Sequence, residues 1–442
     1  MLILLFHPVF GRLYAAQIVA LLGTGLLTVG LGLLAFDLAG DQAGAVLGLA
    51  YAIKMVAYVG LSPVAAALLV HVPRRPVLIG ADLIRAGVAL SLPFITEIWQ
   101  IYLAIALLQS ASATFTPAFQ ATIPDILTKE ADYTRALSLS RLAYDLENLI
   151  SPALAGVLLL VMGYHWLFMG TVIGFVASAL LIRSTELPQP GQDRARPFRE
   201  RLARGLRIYL ATPRLRGLLS LNLAAAAAGA FVIVNTVVVV RSGYGGAEGD
   251  VAVALGAFGA GSMFAALALP GLLGRTGDRP VMMAGGLALT LLLAGQTIWL
   301  MLSGLPPWAV LLALWGATGL AYAAILTPSG RLLRRSAQSA DRPALFTAQF
   351  ALSHACWLVT YPLAGWAMAR FGTAAAMAAL GLLAGLGLAT AARLWPAQDP
   401  EALAHGHPDL PPDHPHLLVH GGRQHSHAFM IDDAHHHWPP HG

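Results

Sequence analysis

The sequence has few charged residues and almost no cysteine or lysine. Only 11% of its 442 residues are charged, whereas an ordinary soluble domain has about 25%. With 57% apolar residues, this composition argues against a soluble globular protein and favours a membrane protein with several spans. The single cysteine, Cys356, excludes an intrachain disulfide. Lysine occurs only at Lys54 and Lys129, so arginines in short loops carry most of the positive charge, a pattern that does not indicate nucleic-acid binding.

Several functional motifs are also absent. The sequence contains no G-x-x-x-x-G-K-[ST] phosphate-binding loop, so ATP is not the evident energy source. It has neither a Cys-x-x-Cys metal motif nor a nucleophile elbow, and we therefore expect neither enzymatic activity nor a prosthetic group. The start, MLILLFHPVFGRL, lacks the basic region and cleavage site of a signal peptide. We expect the first helix to act as an uncleaved insertion signal.

Twelve apolar runs are long enough to cross a membrane, which takes about 20 residues. They fall near residues 13–36, 43–70, 77–95, 98–121, 137–162, 165–183, 217–240, 251–274, 281–303, 307–329, 344–369 and 373–394. The sequence therefore predicts an all-α polytopic membrane protein with twelve transmembrane helices in two halves of six. The fifth run is the weakest of the twelve, because it contains charged residues.

The loops between the runs alternate in charge. Arginine-rich loops lie on one side of the predicted membrane, and by the positive-inside rule that side is cytoplasmic, which places both termini in the cytoplasm. The predicted parts are an N-terminal bundle (1–185), a basic central loop (186–216), a C-terminal bundle (217–395) and a cytoplasmic tail (396–442). We read the central arginines as a lipid-facing anchor, with a regulatory role as the alternative. Arg75-Pro76-Val77 and Arg279-Pro280-Val281 open the third helix of each half and indicate an internal repeat.

This layout resembles the major facilitator superfamily over residues 1–395. The basic pair of the loop between the second and third helices is present as Arg74 and Arg75, but the preceding Asp-Arg positions are Val70 and His71. The exporter motif of the fifth helix survives in part in Ser151–Gly156, which keeps its proline and one glycine. The resemblance implies the two-bundle fold and a substrate site between the halves.

A narrower resemblance covers Thr116–Pro152 and the histidine-rich end, which together look like the nickel-resistance exporters of the NreB type. That resemblance implies nickel efflux across a bacterial inner membrane. It does not imply which residues contact the ion.

The fifth run carries the charges that we expect to line the transport path. Arg141, Asp145, Asn148 and Pro152 share one stripe of a helix, and Glu147 lies about 120° away. Intramembrane charges usually face a bundle interior or a wet cavity. We therefore predict that Asp145, with Glu147 as a second candidate, alternates between a proton and the metal ion. Arg141 either holds this carboxylate or repels the ion.

Other membrane residues are weaker candidates for the path. Lys54 needs a carboxylate partner or a wet cavity, and it serves either a structural ion pair or proton coupling. His354 is a possible ligand, but Cys356 points about 200° away from it on a helix and is expected to be a buried hydrophobe. Asn222 and Asn235 either line the path or form interhelical hydrogen bonds. Asp82 and Arg85 lie one turn apart and are expected to pair with each other.

The tail after residue 395 is polar and is predicted to be disordered. Eleven of the 15 histidines lie in it, and they suit nickel, copper, zinc and cobalt. They are His405, His407, His414, His416, His420, His425, His427, His435, His436, His437 and His441. Their dispersal among Pro, Asp and Gly is unlike a purification tag. We predict a tail that collects Ni²⁺ or Co²⁺.

Three functions fit these features. The first is a proton-coupled exporter of nickel or cobalt, a monomer whose partners are the metal ion, protons and the lipid bilayer. The second is an exporter of drugs or siderophores with an accessory metal-binding tail. The third is a metal sensor that does not transport.

Overall fold

The computed structural model describes residues 2–39, 43–69, 71–188, 197–400, 402–407, 411, 413, 415–420 and 422–439. The helices of the first half are α1 Phe10–Ala39, α2 Ala43–Val56, α3 Ser62–Leu69, α4 Arg74–Ser91, α5 Ile98–Ile126, α6 Glu130–Leu159 and α7 His165–Arg183. A π-helical turn, Ala57–Leu61, joins α2 to α3, so these two helices form one span. A 3₁₀ turn, Leu2–Phe6, precedes α1.

The second half begins with a short amphipathic helix that does not span the membrane. Its helices are α8 Phe198–Ala211, α9 Pro213–Val238, α10 Glu248–Thr276, α11 Asp278–Ser303, α12 Trp308–Leu326, α13 Ser329–Ser336 and α14 Arg342–Leu394. A second π-helical turn, Val239–Gly243, extends α9. Within α14, Gly372 adopts φ 80°, a backbone conformation that breaks the helix into two spans.

The described helices account for the twelve predicted spans. Ten of them are long and apolar enough to cross a membrane, and α14 is one of these ten although it contains two spans. The polar helix α6, 30 residues long, supplies the remaining span. The predicted all-α polytopic fold is confirmed.

The two halves repeat the same contact at corresponding positions. Arg75, at the start of α4, donates a hydrogen bond to the carbonyl of Arg183, the last residue of α7. Arg279, at the start of α11, donates to the carbonyl of Trp395, just after α14, at 3.1 Å. Each arginine thus satisfies a carbonyl that the end of a helix leaves free. The internal repeat seen in the sequence has a structural counterpart.

Ion pairs join the halves at the end of the bundle that carries the arginine-rich loops, here called the basic end. Asp125, at the end of α5, lies 2.6 Å from Arg74 of its own half and 2.6 Å from Arg342 of the other. Arg331 of α13 lies 2.6 Å from Glu130, across the seam, and 2.7 Å from Asp278. These contacts connect the two halves at the basic end.

We call the cross-half pairs Asp125–Arg342 and Glu130–Arg331 the latch. The two positions that are Asp-Arg in the superfamily's loop are Val70 and His71 here, so the loop before Arg74 lacks that acidic residue. Asp125 of α5 supplies the carboxylate instead, because it reaches Arg74 and Arg342 together.

The predicted disorder of the tail is wrong for its described residues. Strand β1, Ala402–Gly406, pairs antiparallel with β2, Gln424–Ala428, and a short helix α15, Pro415–His420, lies between them. Phe429 and Ile431 are buried in the hydrophobic core of the second half. The tail folds because it packs against this core, which supplies the apolar contacts that the tail's own composition does not provide.

Two buried arginines fasten the tail to the basic end. Arg214 of α9 donates to Asp399 at 3.1 Å and to the carbonyl of Phe429 at 3.3 Å. Arg204 of α8 forms two hydrogen bonds with Asp341, at 2.8 and 2.9 Å, and one with Asp433 at 2.7 Å. A lipid-facing role is therefore wrong for these two arginines, because acidic residues of the protein surround them.

Candidate transport path and histidine centre

A cluster of polar side chains lies where the two halves meet inside the membrane. The Lys54 ammonium of α2 lies 5.6 Å from the ring centroid of Tyr58, one turn later. The Tyr58 ring meets the His354 ring of α14 at 4.7 Å. Lys54 interacts electrostatically with both Glu147 of α6 and His354. The structure therefore brings three predicted path residues, Lys54, Glu147 and His354, into one cluster, here called the seam cluster.

His354 has a defined tautomer. Its Nδ1 lies 2.7 Å from the carbonyl oxygen of Phe350, so Nδ1 carries the proton and Nε2 keeps a free lone pair. Cys356 is buried and lies near Tyr209 instead. The expectation that His354 and Cys356 do not act as a pair is consistent with this arrangement.

Arg141 connects α6 to the second half. Its Nε donates to Ser262 of α10 at 2.9 Å, and its guanidinium lies 5.1 Å from the ring centroid of Tyr322 of α12. The side chains of Asp145, Asn148 and Pro152 lie outside the described residues. The predicted stripe on α6 and the role of Arg141 toward Asp145 therefore stay predictions.

The two candidate asparagines of α9 have different surroundings. Asn235 donates from Nδ2 to the carbonyl of Ala364 at 3.2 Å, which is the interhelical hydrogen bond that was its structural alternative. Asn222 is buried, and neither its amide nitrogen nor its amide oxygen has a hydrogen-bond partner in the described part of the chain. Since buried polar groups are rarely left unpaired, Asn222 is the better candidate for a polar ligand.

The pair of Asp82 and Arg85 in α4 is confirmed as an ion pair. Ser178 also donates to Asp82 at 2.7 Å, and the Arg85 guanidinium lies between the rings of Phe115 and Phe175, at 4.3 and 4.4 Å. These contacts are internal to the first half and indicate a structural role.

Aromatic residues of the path were not identified from the sequence. Tyr58 contacts Lys54 and His354, and Tyr144 of α6 interacts with Glu147 and Gln17. The four-residue spacing of Lys54 and Tyr58 was a usable signal, because residues one turn apart on a helix share a face.

The main cavity in the described part of the chain does not contain the seam cluster. It has a volume of about 560 Å³ and lies toward the basic end, between α3, α5, α8 and α14. Its walls are mostly apolar, and its charged lining residues are Arg74, Arg201, Arg204 and Asp341. Neither Glu147 nor the other members of the seam cluster line this cavity.

Six histidines of the tail, here called the histidine centre, form two overlapping groups of four that share His405 and His416, and the ligand atoms of each group lie within 4.8 Å of one another. They are His405, His407, His416, His425, His427 and His435. Nε2 of His416 lies 2.9 Å from Nε2 of His425 and 3.3 Å from Nε2 of His427. Nε2 of His435 lies 3.0 Å from Nε2 of His405. Nε2 of His407 is buried and has no hydrogen-bond partner among the described residues.

In four of the six rings the other ring nitrogen bonds to an oxygen atom. Nδ1 of His405, His425 and His427 lies 2.9, 2.7 and 2.9 Å from the backbone carbonyls of residues 403, 422 and 428, respectively. Nδ1 of His435 lies 2.7 Å from the Asp432 carboxylate. An oxygen partner fixes the proton on Nδ1 and leaves Nε2 as a lone-pair donor, which is the usual arrangement of metal-binding histidines.

The remaining tail histidines lie outside this centre. His420 stacks beside it, with its ring 4.3 Å from the ring of His427. His436 and His437 are exposed. His414 and His441 lie outside the described residues.

Two rings of the centre, His407 and His416, are held neutral. Burial, and then the positive charge of the neighbouring rings, lowers the pKa of His407 and of His416 to about 4. Neutral imidazole is the form that binds metal, so these two ligands stay available at neutral pH. The Asp432 carboxylate that holds His435 also accepts a hydrogen bond from Gln338 at 3.1 Å, and this links the centre to the loop between α13 and α14.

Curated relatives match only part of the chain. The uncharacterized MFS-type transporter YfiS of Bacillus subtilis (strain 168) is 26% identical over 122 residues, which cover 28% of this chain and 29% of that protein. Macrolide efflux protein A of Streptococcus pyogenes is 24% identical over 187 residues, covering 41% of this chain and 45% of that protein. The chain thus spans less than half the length of either relative.

Solved structures share the fold over most of the chain. The human organic anion transporter MFSD10 aligns with TM-score 0.71 at 13% identity, covering 87% of this chain and 99% of that one. A bacterial homologue of the iron transporter ferroportin, in an outward-facing state, aligns with TM-score 0.69 at 14% identity, covering 86% and 96%. The sequence pattern of the Major Facilitator Superfamily matches residues 13–295. The chain is a multi-pass membrane protein and belongs to the Major Facilitator Superfamily.

Proposed function

We propose that this transporter exports a divalent metal cation, nickel or cobalt, from the cytoplasm across a bacterial inner membrane in exchange for protons. The observation that carries the proposal is the histidine centre. Six imidazoles converge there on the basic end, which the positive-inside rule places in the cytoplasm. A transporter of organic compounds has no need of such a centre.

The seam cluster supplies one site where ion and proton can exchange. Glu147 lies near the Lys54 ammonium, so its carboxylate can hold the ammonium, a proton or a metal ion in turn. Asp145, one turn after Arg141, remains the first candidate of the sequence for the same role. His354 offers a neutral nitrogen beside Lys54 and Tyr58, a ligand type that nickel and cobalt accept.

The energy balance favours proton exchange. Moving a divalent cation out of a negative interior costs about 4.6 kcal/mol per 100 mV, at about 2.3 kcal/mol per charge. Entry of two protons cancels the charge movement, so the pH gradient alone then drives export. Additional protons would also use the membrane potential.

Flux in proteoliposomes tests the proposal. Nickel added to vesicles that contain the full chain should drive proton movement, and Glu147→Gln or Asp145→Asn should abolish it. Asp132→Asn is the matched control, since Asp132 pairs on the surface with Arg135 in the same helix. Wild-type exchange by both intramembrane variants would refute the carboxylate mechanism, and no nickel flux in the unaltered protein would refute metal export.

The cavity supports a second candidate, export of an apolar organic compound. Its volume of about 560 Å³ is in the range of drug-binding pockets, and its walls are mostly apolar. Cells expressing the wild-type chain or His416→Ala discriminate the two functions. Nickel resistance that falls with His416→Ala supports metal export, whereas resistance to organic compounds that is equal in both supports the second candidate. Substitution is preferable to truncation here, because Phe429 and Ile431 belong to the core of the second half.

A further inference from the structure

The six rings of the histidine centre have the mutual spacing of an octahedron. His405 lies 4.6–5.0 Å, between ring centroids, from each of four other rings, and His416 lies 4.7–5.0 Å from the same four. The centroids of His405 and His416 themselves are 6.4 Å apart. We call this pair the axial pair. Its two members are neighbours of every other ring and lie opposite each other.

The other four rings close into a square, here called the equatorial ring. In ring order its members are His407, His425, His427 and His435. Successive centroids are 5.2, 5.2, 5.2 and 4.8 Å apart. The axial pair thus lies above and below the equatorial ring of four imidazoles, which is the arrangement of ligands around a six-coordinate ion.

The distances also fit a metal ion at the centre. With metal–nitrogen bonds of about 2.1 Å, neighbouring ligand nitrogens are about 3.0 Å apart in an octahedron and about 3.4 Å apart in a tetrahedron. The observed Nε2 separations are 2.9, 3.0 and 3.3 Å. Placing each ring centroid about 3.2 Å from the ion gives about 4.5 Å between neighbours and about 6.4 Å between opposite rings. The observed centroid distances follow this pattern, including the long distance of the axial pair.

We propose that the tail forms a single octahedral site of six imidazoles, built for a six-coordinate divalent cation, Ni²⁺ before Co²⁺. A tetrahedron has no opposite positions, so it does not account for the axial pair. Zn²⁺ has a filled d shell and usually takes four ligands in protein sites. Ni²⁺ and Co²⁺ have partly filled d shells that six nitrogen donors stabilise, and Ni²⁺ stands above Co²⁺ in the general order of affinities. Cu²⁺ prefers tetragonal geometry, which a compact octahedron resists.

The site selects the ion by geometry rather than by ligand type. Imidazole alone would rank copper above nickel, and a flexible tail would follow that order. Here the strand pairing sets His405 of β1 directly opposite His425 of β2, and carbonyl or carboxylate partners fix several rings. Because six ligands are fixed in place, ions that prefer four ligands should bind less tightly than ions that prefer six. The octahedral site rests on the proposed export of metal and specifies the class of ion that the tail binds.

Metal binding to the purified full-length protein tests the proposal. Cobalt(II) is the probe of geometry, because octahedral Co²⁺ absorbs weakly in the visible range and tetrahedral Co²⁺ absorbs strongly. We expect a weak, octahedral spectrum, one tail-bound ion per chain, and tighter binding of Ni²⁺ than of Zn²⁺. His416→Ala should weaken Ni²⁺ binding at least about tenfold. His420→Ala is the matched control and should leave it unchanged, since His420 lies beside the octahedron.

A second variant keeps the test valid if His416→Ala disturbs the tail fold. Asp432→Asn retains all six ligands but weakens the hydrogen bond to Nδ1 of His435, and it should reduce Ni²⁺ affinity about 10–100-fold. A strong tetrahedral cobalt spectrum, a preference for Zn²⁺ over Ni²⁺, or equal losses in His416→Ala and His420→Ala would overturn the octahedral site. The assay measures binding and not flux, so metal export can fail while the site stands, and the site can fail while export stands.

Discussion

Replacing Asp125 by asparagine should open the basic end of the transporter. Asp125 is the carboxylate that one arginine from each half shares: Arg74 and Arg342 both lie 2.6 Å from it. Asparagine keeps the size of the side chain and removes its charge. The Arg342 guanidinium, 18% exposed in its side chain, then loses its charged partner across the seam.

The size of the effect follows from this geometry. A hydrogen bond to a charged group contributes about 1.5–3 kcal/mol. Of the two contacts of Asp125, only the one with Arg342 joins the two halves, because Arg74 belongs to the same half as Asp125. The closed conformation should therefore lose about 1.5–3 kcal/mol relative to the open one, a change of about 10- to 150-fold in the opening equilibrium.

Hydrogen exchange of α13 measures this opening. Arg331 of α13 forms the second latch pair with Glu130, so amides of Ser329–Ser336 should exchange faster by the same factor in Asp125→Asn. Asp132→Asn is the control, since it breaks a surface pair within one helix that contributes about 0–1 kcal/mol. Exchange in Asp125→Asn no faster than in the control would refute the latch.

Three further predictions concern the tail and its docking. The pKa values of His407 and His416 are about 4 in the folded tail, below the unfolded value of about 6.5. The metal-free tail should therefore be fully stable above pH 6.5 and lose stability as the pH falls toward 4. Proteolysis of the tail measures this, and a rate that does not change over this range would contradict the prediction. Arg214→Gln removes the buried arginine that pairs with Asp399 and should weaken the docking of the tail by about 3–5 kcal/mol. The tail should then be cleaved faster by a protease. Arg207→Gln is the control, and it should change the cleavage rate little because Arg207 is exposed. Gly205→Ala should lower the thermal stability, because the added Cβ would lie 2.0 Å from the Ala344 carbonyl oxygen and this overpacking costs about 1–3 kcal/mol. Gly271→Ala is the control and should leave the thermal stability unchanged, because its Cβ would meet open space.

The docked tail adjoins the latch through two contacts. Asp433 shares Arg204 with Asp341, the residue that precedes Arg342 and α14. Asp432 bonds to His435 of the histidine centre and to Gln338. These contacts connect the tail to the loop that carries Arg342.

Hydrophobic run length predicted the membrane part of the fold, because each span must satisfy its own backbone in lipid and so forms a helix of about 20 residues. The boundaries differ where local geometry intervenes. The π-helical turn Ala57–Leu61 lies inside one span and does not change the hydropathy, so the hydropathy did not predict it. The break between the last two spans was predicted after residue 369, and the non-helical backbone of Gly372 supplies it.

The candidate sites were predicted unevenly. Residue type alone identified Lys54, Glu147 and His354, because charged and imidazole side chains are rare inside a membrane. Their grouping, and the tyrosine between them, depend on how α2, α6 and α14 pack. For Arg204 and Arg214 the composition was misleading, since the acidic partners Asp341, Asp399 and Asp433 are more than a hundred residues away.

By itself, the sequence determined the class of protein, its twelve spans and the chemistry of its tail, because apolar length and imidazole content are local properties. Only the tertiary structure decided that the tail folds and which six of its histidines form the histidine centre. Those outcomes depend on the pairing of β1 with β2 and on the core of the second half, into which Phe429 and Ile431 are packed. No spacing along the chain encodes such long-range contacts.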